Sequence, residues 1–186
     1  VSSAASDVYK RQRQVYEVSK LCEDQIAQMA GYNWELPIAI TRCGNIYGPG
    51  DYNFSRLIPG VIRDYIHGRQ PTIRSNGQQY RDYVYIDDIV DAYLMTAEFR
   101  EYSTNQVDTF NFGTGIPSRV LDVVTLIADQ FSKPMPPIVD YGAGDEIHRQ
   151  YVGNTKAYNA LRWGPRMKLR DGIMATCDWY KEYFNA

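Results

Sequence analysis

Two hydrophobic periods alternate along the chain. From Tyr16 the apolar positions Val18, Leu21, Cys22, Ile26, Met29 and Ala30 recur every three to four residues and stop at Gly31, which predicts an amphipathic helix ended by a glycine. The run Pro37 to Arg42 then predicts a strand whose apolar, β-branched character suits a buried place in a parallel sheet, with Gly44, Gly48, Pro49 and Gly50 marking a loop at its carboxyl end. A second helix is predicted from an N-cap at Ser55 through Leu57, Ile58, Val61, Ile62, Tyr65 and Ile66 to Gly68, with Gly60 weakening its first turn. Strand-like runs follow at Thr72 to Arg74 and Tyr83 to Ile86. The second leads through Asp87 and Asp88, whose charges complement a helix dipole, into the helical pattern Ile89, Val90, Tyr93, Leu94 and Ala97. Thr109 to Phe112 predicts another strand, closed by Gly113-Thr-Gly115, after which Ser118 is placed to cap a helix carrying Val120, Val124, Ile127 and Phe131. The remainder predicts a strand at Pro137 to Tyr141, a helix near Thr155 to Arg162, and a last helix carrying Leu169, Ile173, Cys177, Tyr180 and Phe184.

Strands alternating with helices give the fold class α/β: a mostly parallel sheet with helices on its faces and ligand sites beyond the carboxyl ends of its strands. The loop from Cys43 to Asn53 is therefore a candidate site. No internal repeat or low-complexity tract interrupts the alternation.

Composition narrows the function classes. The 186 residues carry 20 Lys and Arg against 22 Asp and Glu, a formal net charge of −2, which argues against a dedicated nucleic-acid or anionic-membrane binder. The 16 tyrosines are scattered, without the basic interleaving of a nucleic-acid platform. Cys22, Cys43 and Cys177 lie far apart and show no C-x-x-C spacing. Neither a disulfide framework nor a zinc site is indicated, and a reducing compartment fits best. His67 and His148 lack partners at metal-ligand spacing, so no metal is expected. No apolar run approaches the roughly 20 residues that span a bilayer and no signal-peptide core is present, so the expected location is cytoplasmic, with no membrane partner. Residues 1 to 12, small and polar before a basic patch, are expected to be a non-native tail.

Tyr16 and Lys20, spaced Y-x-x-x-K, project from one helix face about one turn apart. An ammonium beside a phenol favours the phenolate and makes the tyrosine a usable base; two unrelated surface residues would show the same spacing.

A longer set of motifs carries more. In order they are Y-E-V-S-K (16 to 20), T-R-C-G-N-I-Y-G-P-G-D (41 to 51), R-L-I-P (56 to 59), R-D-Y-V-Y-I-D-D (81 to 88), F-N-F-G-T-G (110 to 115), Q-Y-V (150 to 152) and L-R-W-G-P-R (161 to 166). As an ordered set spanning about residues 14 to 186, they resemble the extended short-chain dehydrogenase/reductase family, specifically its NAD-dependent nucleotide-sugar epimerases and dehydratases. The segments G-N-I-Y-G-P-G-D and P-T-I-R-S-N-G-Q-Q-Y-R-D-Y look most like 4,6-dehydratases of the CDP-glucose or GDP-mannose kind. The resemblance implies the carboxyl-terminal part of a Rossmann-like parallel-sheet domain, about residues 13–48 and 81–115, plus a small mixed α/β substrate-binding lobe, about residues 49–80 and 116–186.

By the same resemblance, Tyr16 takes the proton of the sugar C4 hydroxyl while the C4 hydride passes to NAD, and Lys20 binds the nicotinamide ribose and lowers the tyrosine pKa. Cys43 would line the nicotinamide pocket; a buried small hydrophobe is the other reading. Asn45 would donate its amide to the substrate diphosphate, or else serve only as a turn residue. Arg81 would pair with that diphosphate, or else with Asp82. Arg56, Leu57 and Pro59 fall where the family meets the nucleotide base, and Arg149, with Gln150 and Tyr151, where it closes over the nucleotide. NAD rather than NADP is the implied cofactor, a nucleotide-diphosphate sugar the implied substrate, and a homodimer the implied assembly.

One departure is large. Such enzymes begin with a strand and a G-x-x-G-x-x-G turn that lets backbone amides approach the NAD pyrophosphate, and these 186 residues contain no such turn. Gly113-Thr-Gly115 lacks the third glycine, and Ser2 and Ser3 stand too close to Tyr16 to be the extended branch's upstream hydroxyl. The chain therefore reads as a carboxyl-terminal fragment, inactive by itself, of a nucleotide-sugar 4,6-dehydratase. A 4-epimerase of the same family and a non-catalytic sugar-nucleotide-binding remnant stand as alternatives.

Overall fold

The computed structural model describes residues 15–140 and 147–185; the segment read as a non-native tail lies outside them. Within them the chain runs α1 (Val15–Trp34), β1 (Ile38–Cys43), β2 (Asn45–Tyr47), α2 (Leu57–Ile66), β3 (Thr72–Ile73), β4 (Tyr80–Arg81), β5 (Tyr83–Tyr85) and α3 (Ile86–Tyr102). It continues through β6 (Val107–Phe112), β7 (Ser118–Arg119), α4 (Val120–Ala128), β8 (Ile138–Val139), β9 (Arg149–Gln150), α5 (Thr155–Leu161) and α6 (Leu169–Asn185).

Parallel pairing dominates, as an alternation of helices and strands requires. β1 pairs with β6, from Ile38 opposite Val107 to Cys43 opposite Phe112. β2 pairs with β5, placing Asn45 opposite Tyr83, and β3 pairs with β8. The exception is β4, parallel to β9 on one side and antiparallel to β7 on the other.

Two apolar cores hold these elements. In one, α2, α4 and α6 pack Ile58, Ile62, Val123, Val124, Ile127, Ile173 and Tyr180 together over Tyr47, Tyr83 and Tyr85. In the other, Phe110 and Phe112 of β6 meet Val84, Ile89, Ala92, Ala157, Leu161 and Trp163. Each fully buried aliphatic side chain contributes about 2 kcal/mol by leaving water. The division follows the helices more than the chain: α5 lies on the core of β6, whereas Tyr47, Tyr83 and Tyr85 face the core of α2 and α6.

Several local expectations change. The first helix does not stop at Gly31; it runs on to Trp34 and ends with Glu35 in the left-handed region at φ 52°. Gly31 is buried instead, and a Cβ there would collide with Val107 of β6, so the glycine serves close packing of helix on strand. Ser55 does not cap α2, whose N-cap is Arg56 with no side-chain bond; the Ser55 hydroxyl donates to Asn53 Oδ1 within the loop. Ser118 is no helix cap either, because it pairs with Arg81 in β7 before α4 begins at Val120. Gly68, at φ 64°, does end α2 as expected. The strands β2, β4, β7 and β9, two or three residues each, carry no period long enough to be read from the sequence.

The apolar stripe of α1 faces outward over much of its length. Ile26 is 69% exposed and Trp34 71%, and with Gln25, Met29, Ala30 and Asn33 they line an open groove along the helix. Among the described residues no helix is long and apolar enough to cross a membrane.

Candidate functional site

The Cys43–Asn53 loop is laid out by two parallel strand pairs. β1 ends at Cys43, Gly44 N donates to Phe112 O at 2.8 Å, and Asn45 N donates to Asp82 O at 2.6 Å, so the chain steps from the β1–β6 pair to the β2–β5 pair within two residues. Gly44 is what permits this step: a Cβ there would lie 2.8 Å from Asp82 O. The Asn45 side chain is left exposed at the start of β2.

Arg81 reaches the same region from β4. Its Nη1 donates to Tyr80 O at 2.9 Å and to Ile147 O at 2.7 Å, which ties the arginine to the segment entering β9. Tyr80 N donates to His148 O at 2.8 Å, and Arg149 stacks over the rings of Tyr80 and Tyr151, 5.5 and 5.7 Å from their centroids. Arg149 is exposed, so its charge stays available to an anion while its plane rests on aromatic faces. The topology thus brings Asn45, Arg81 and Arg149 to neighbouring strand ends.

Asp82 is the residue that sequence reading undervalued. It was legible only as a possible ion-pair partner of Arg81, yet its side chain is 2% exposed and accepts bonds from the backbones of two other segments. Its neighbours in the motif gave no sign of this. Asp88, expected to support the strand-to-helix junction, accepts from Arg166 N and Met167 N, both at 3.1 Å, and its carbonyl accepts from Trp163 Nε1 at 2.8 Å.

Tyr16 and Lys20 stand one turn apart on α1, with Tyr16 70% exposed. Lys20 Nζ donates to Glu23 Oε2 at 2.6 Å; that bond and the glutamate charge raise its pKa, so the ammonium persists at neutral pH. Two other tyrosines near the loop are unsuited to act as bases. Burial pushes the Tyr47 phenol far above its ordinary range, with the charges of Asp88 and Asp171 adding to the effect. Burial also lifts Tyr83 to about 12, against a small opposing effect of Arg81. Burial raises the Cys43 thiol as well, partly offset by a hydrogen bond with Tyr93, so Cys43 sits at the end of β1 as a neutral, partly buried group.

The residues read as base-facing divide. Arg56 is largely exposed, its Nη1 donating to Asp51 Oδ2 at 3.1 Å. Leu57 packs partly buried on the core of α2 and Pro59 is buried, so both side chains turn inward.

The model of the NAD dependent epimerase/dehydratase family matches residues 2–113. The chain is 28% identical over 176 residues to the dTDP-D-glucose 4,6-dehydratase of Bos taurus, covering 91% of this chain and 48% of that protein. It is 29% identical over 175 residues to dTDP-glucose 4,6-dehydratase 1 of Escherichia coli, covering 89% and 46%. The chain spans about half the length of the curated relatives it matches. Among solved structures, the UDP-glucose 4-epimerase of Thermotoga maritima with UDP-glucose superposes at a TM-score of 0.81 with 23% identity, over 91% of this chain and 54% of that one. The dTDP-glucose 4,6-dehydratase of Bacillus anthracis in complex with NAD gives 0.80 with 24% identity, over 91% and 53%. These likenesses establish a Rossmann-type α/β fold, and the family match over more than half of the residues makes the chain a member of the NAD dependent epimerase/dehydratase family.

Proposed function

We propose that this chain supplies the reacting tyrosine and the substrate-binding lobe of a nucleotide-sugar 4,6-dehydratase. The observation that supports the reading is that Asn45, Arg81 and Arg149 stand on segments joined by backbone pairing: Asn45 N donates to Asp82 O, next to Arg81, and β4, which carries Arg81, lies beside β9, which begins at Arg149. An amide and two guanidinium groups are the donors a diphosphate asks for, the guanidinium forks matching its oxygens. Arg56 stands at the entrance to α2 for the base, with Leu57 and Pro59 shaping the turn behind it. The division into a Rossmann part and a substrate lobe belongs to the same proposal.

The residues suit the nicotinamide end of NAD. Lys20 presents an ammonium with three N–H groups, one of which is spent on Glu23, leaving donors for a ribose diol. NAD, held at its ribose by Lys20, would supply the hydride acceptor for C4 and the hydride donor for C6. Tyr16 takes the C4 hydroxyl proton, with the Lys20 ammonium one helical turn away on the same helix. With a ketone at C4 the C5 proton becomes acidic; it leaves with the C6 hydroxyl as water. Hydride adds at C6 and a proton at C5, so the sequence is redox-neutral and loses one water. The groups that remove the C5 proton and protonate the leaving hydroxyl are not assigned to residues of this chain.

The names of the relatives favour a dTDP- or UDP-sugar over the CDP- and GDP-sugars suggested by the loop motifs. The exposed stripe of α1 is proposed to be covered in the whole protein, by the rest of its fold or by a second copy.

The test is to incubate the whole protein with NAD and dTDP-glucose in D2O and follow the sugar by NMR. A 4,6-dehydratase yields a C6 methyl signal with deuterium at C5. A 4-epimerase instead retains the C6 hydroxymethyl group and inverts C4. Binding without either change identifies a sugar-nucleotide-binding remnant and overturns the enzymatic reading.

A further inference from the structure

Asp82 touches every segment that the functional reading assigns to the diphosphate. Its Oδ1 accepts from Thr114 N at 2.9 Å and Thr114 Oγ1 at 2.5 Å, and its Oδ2 from Gly115 N at 3.0 Å and Val152 N at 3.2 Å. Its carbonyl accepts from Asn45 N at 2.6 Å. One residue therefore connects β2 through Asn45, the turn after β6, and the strand end carrying Arg149 to Tyr151, while its chain neighbour is Arg81.

The surroundings are built to let this happen. A Cβ on Gly113 would lie 2.5 Å from Asp82 Oδ2, and one on Gly44 2.8 Å from Asp82 O, so both flanking segments are glycine where they approach it. A carboxylate at 2% exposure is tolerated because four donors compensate its charge. Those four bonds also occupy its acceptor sites, so its oxygens are engaged with the protein's own segments.

We infer that Asp82 is a positioning residue that holds Asn45, Arg81 and Arg149 in register around the diphosphate of a nucleotide sugar. The inference rests on the functional reading above. Asparagine replaces it poorly, because whichever way the amide turns, its N–H groups face at least one backbone N–H that the carboxylate satisfied.

The test measures dTDP binding by calorimetry in the whole protein, for wild type, Asp82→Asn, Thr114→Val and Arg81→Ala. Thr114→Val keeps the backbone bonds and loses the hydroxyl, so it gives a readout even where Asp82→Asn fails to fold. Asp82→Asn is expected to raise the Kd for dTDP about tenfold or more, and Thr114→Val about threefold. In turnover of dTDP-glucose, KM rises in parallel and kcat changes by less than about threefold, because Tyr16 and Lys20 lie on α1 and not on the segments Asp82 joins. In the Arg81→Ala background the effect of Asp82→Asn shrinks to about threefold or less, since part of what it positions is already gone. Variants that lose thermal stability yet bind dTDP as tightly as wild type would overturn the positioning role and leave the functional reading intact. A wild-type protein that binds none of dTDP, UDP, CDP and GDP overturns both.

Discussion

Asp24 of α1 grips Arg42 of β1 with two parallel bonds, Nε to Oδ1 at 2.9 Å and Nη2 to Oδ2 at 2.8 Å. Gln28 Nε2 adds a third at 2.7 Å, from one turn further along the same helix. Asp24 lies one turn beyond Lys20, so this bidentate clamp fixes the helix that carries Tyr16 and Lys20 against the strand that leads to Cys43 and Asn45. Its aspartate is mostly buried and its arginine partly open to water, which places it between a surface pair and a buried one. Asp24→Ala is expected to cost about 1–3 kcal/mol in denaturant unfolding of the whole protein. A cost indistinguishable from zero would show the pair to be incidental.

Gly172, within α6, is expected to tolerate no side chain. A Cβ there would overlap the Tyr47 hydroxyl and come within 2.9 Å of Tyr85 Cδ2, and both rings belong to a buried core. Gly172→Ala therefore destabilises by about 2–3 kcal/mol through overpacking, although alanine is the better helix former. Gly68→Ala is the control. That glycine adopts φ 64° with nothing within 4 Å of the added Cβ, so only backbone strain of about 1 kcal/mol applies. Equal midpoints for the two variants in thermal unfolding of the whole protein would contradict the packing argument.

The contrast between these glycines shows what was legible in the sequence and what was not. Long periods such as those of α2 and α6, and the apolar run of β1, declare themselves because many residues repeat one instruction. Gly68 could be read as a helix end, whereas Gly31 and Gly172 depend on Val107 and Tyr47, partners 76 and 125 residues away, and no local pattern encodes them. The same holds at the site. The order of motifs identified Asn45, Arg81 and Arg149 as candidates, but the role of Asp82 depends on Thr114 and Val152, which only the folded chain brings beside it. Two-residue strands such as β4 and β9 are likewise set by tertiary pairing and not by their own propensities.

Asp108 at the second position of β6 gives a pH test. Burial opposes its ionisation, but hydrogen bonds from Ser103, Asn105 and Arg100, together with the arginine charge, outweigh burial and hold its pKa below the ordinary carboxylate value. Arg100 also binds Asn105 O at 2.8 Å, so one arginine joins the end of α3 to the start of β6. Because the folded-state pKa is the lower one, the stabilisation is complete above the unfolded value of about 4 and is lost as the pH falls through the folded value. Asp108→Asn is expected to destabilise by about 2–4 kcal/mol at pH 7. The gap to wild type narrows as unfolding is measured at successively lower pH below about 4. A gap that is constant with pH would place the effect in packing and not in the charge.

A polypeptide of these 186 residues alone is expected to unfold without a sharp transition. Among the described residues β1 pairs only with β6, and a two-stranded sheet has little independent stability. One face of α1 exposes Ile26, Met29 and Trp34, and α3 exposes Val90, Tyr93 and Leu94 at helical spacing, so two elements beside that sheet leave apolar surface in water. NAD is expected to leave the melt unchanged, because no glycine-rich turn for its pyrophosphate occurs in the sequence and a lysine with a tyrosine offers only the ribose end. Calorimetric scans with and without NAD, at two protein concentrations, check this. A cooperative transition that NAD moves upward would show that the chain holds the cofactor unaided, and Tyr16 and Lys20 would then be assayed for turnover in this polypeptide directly.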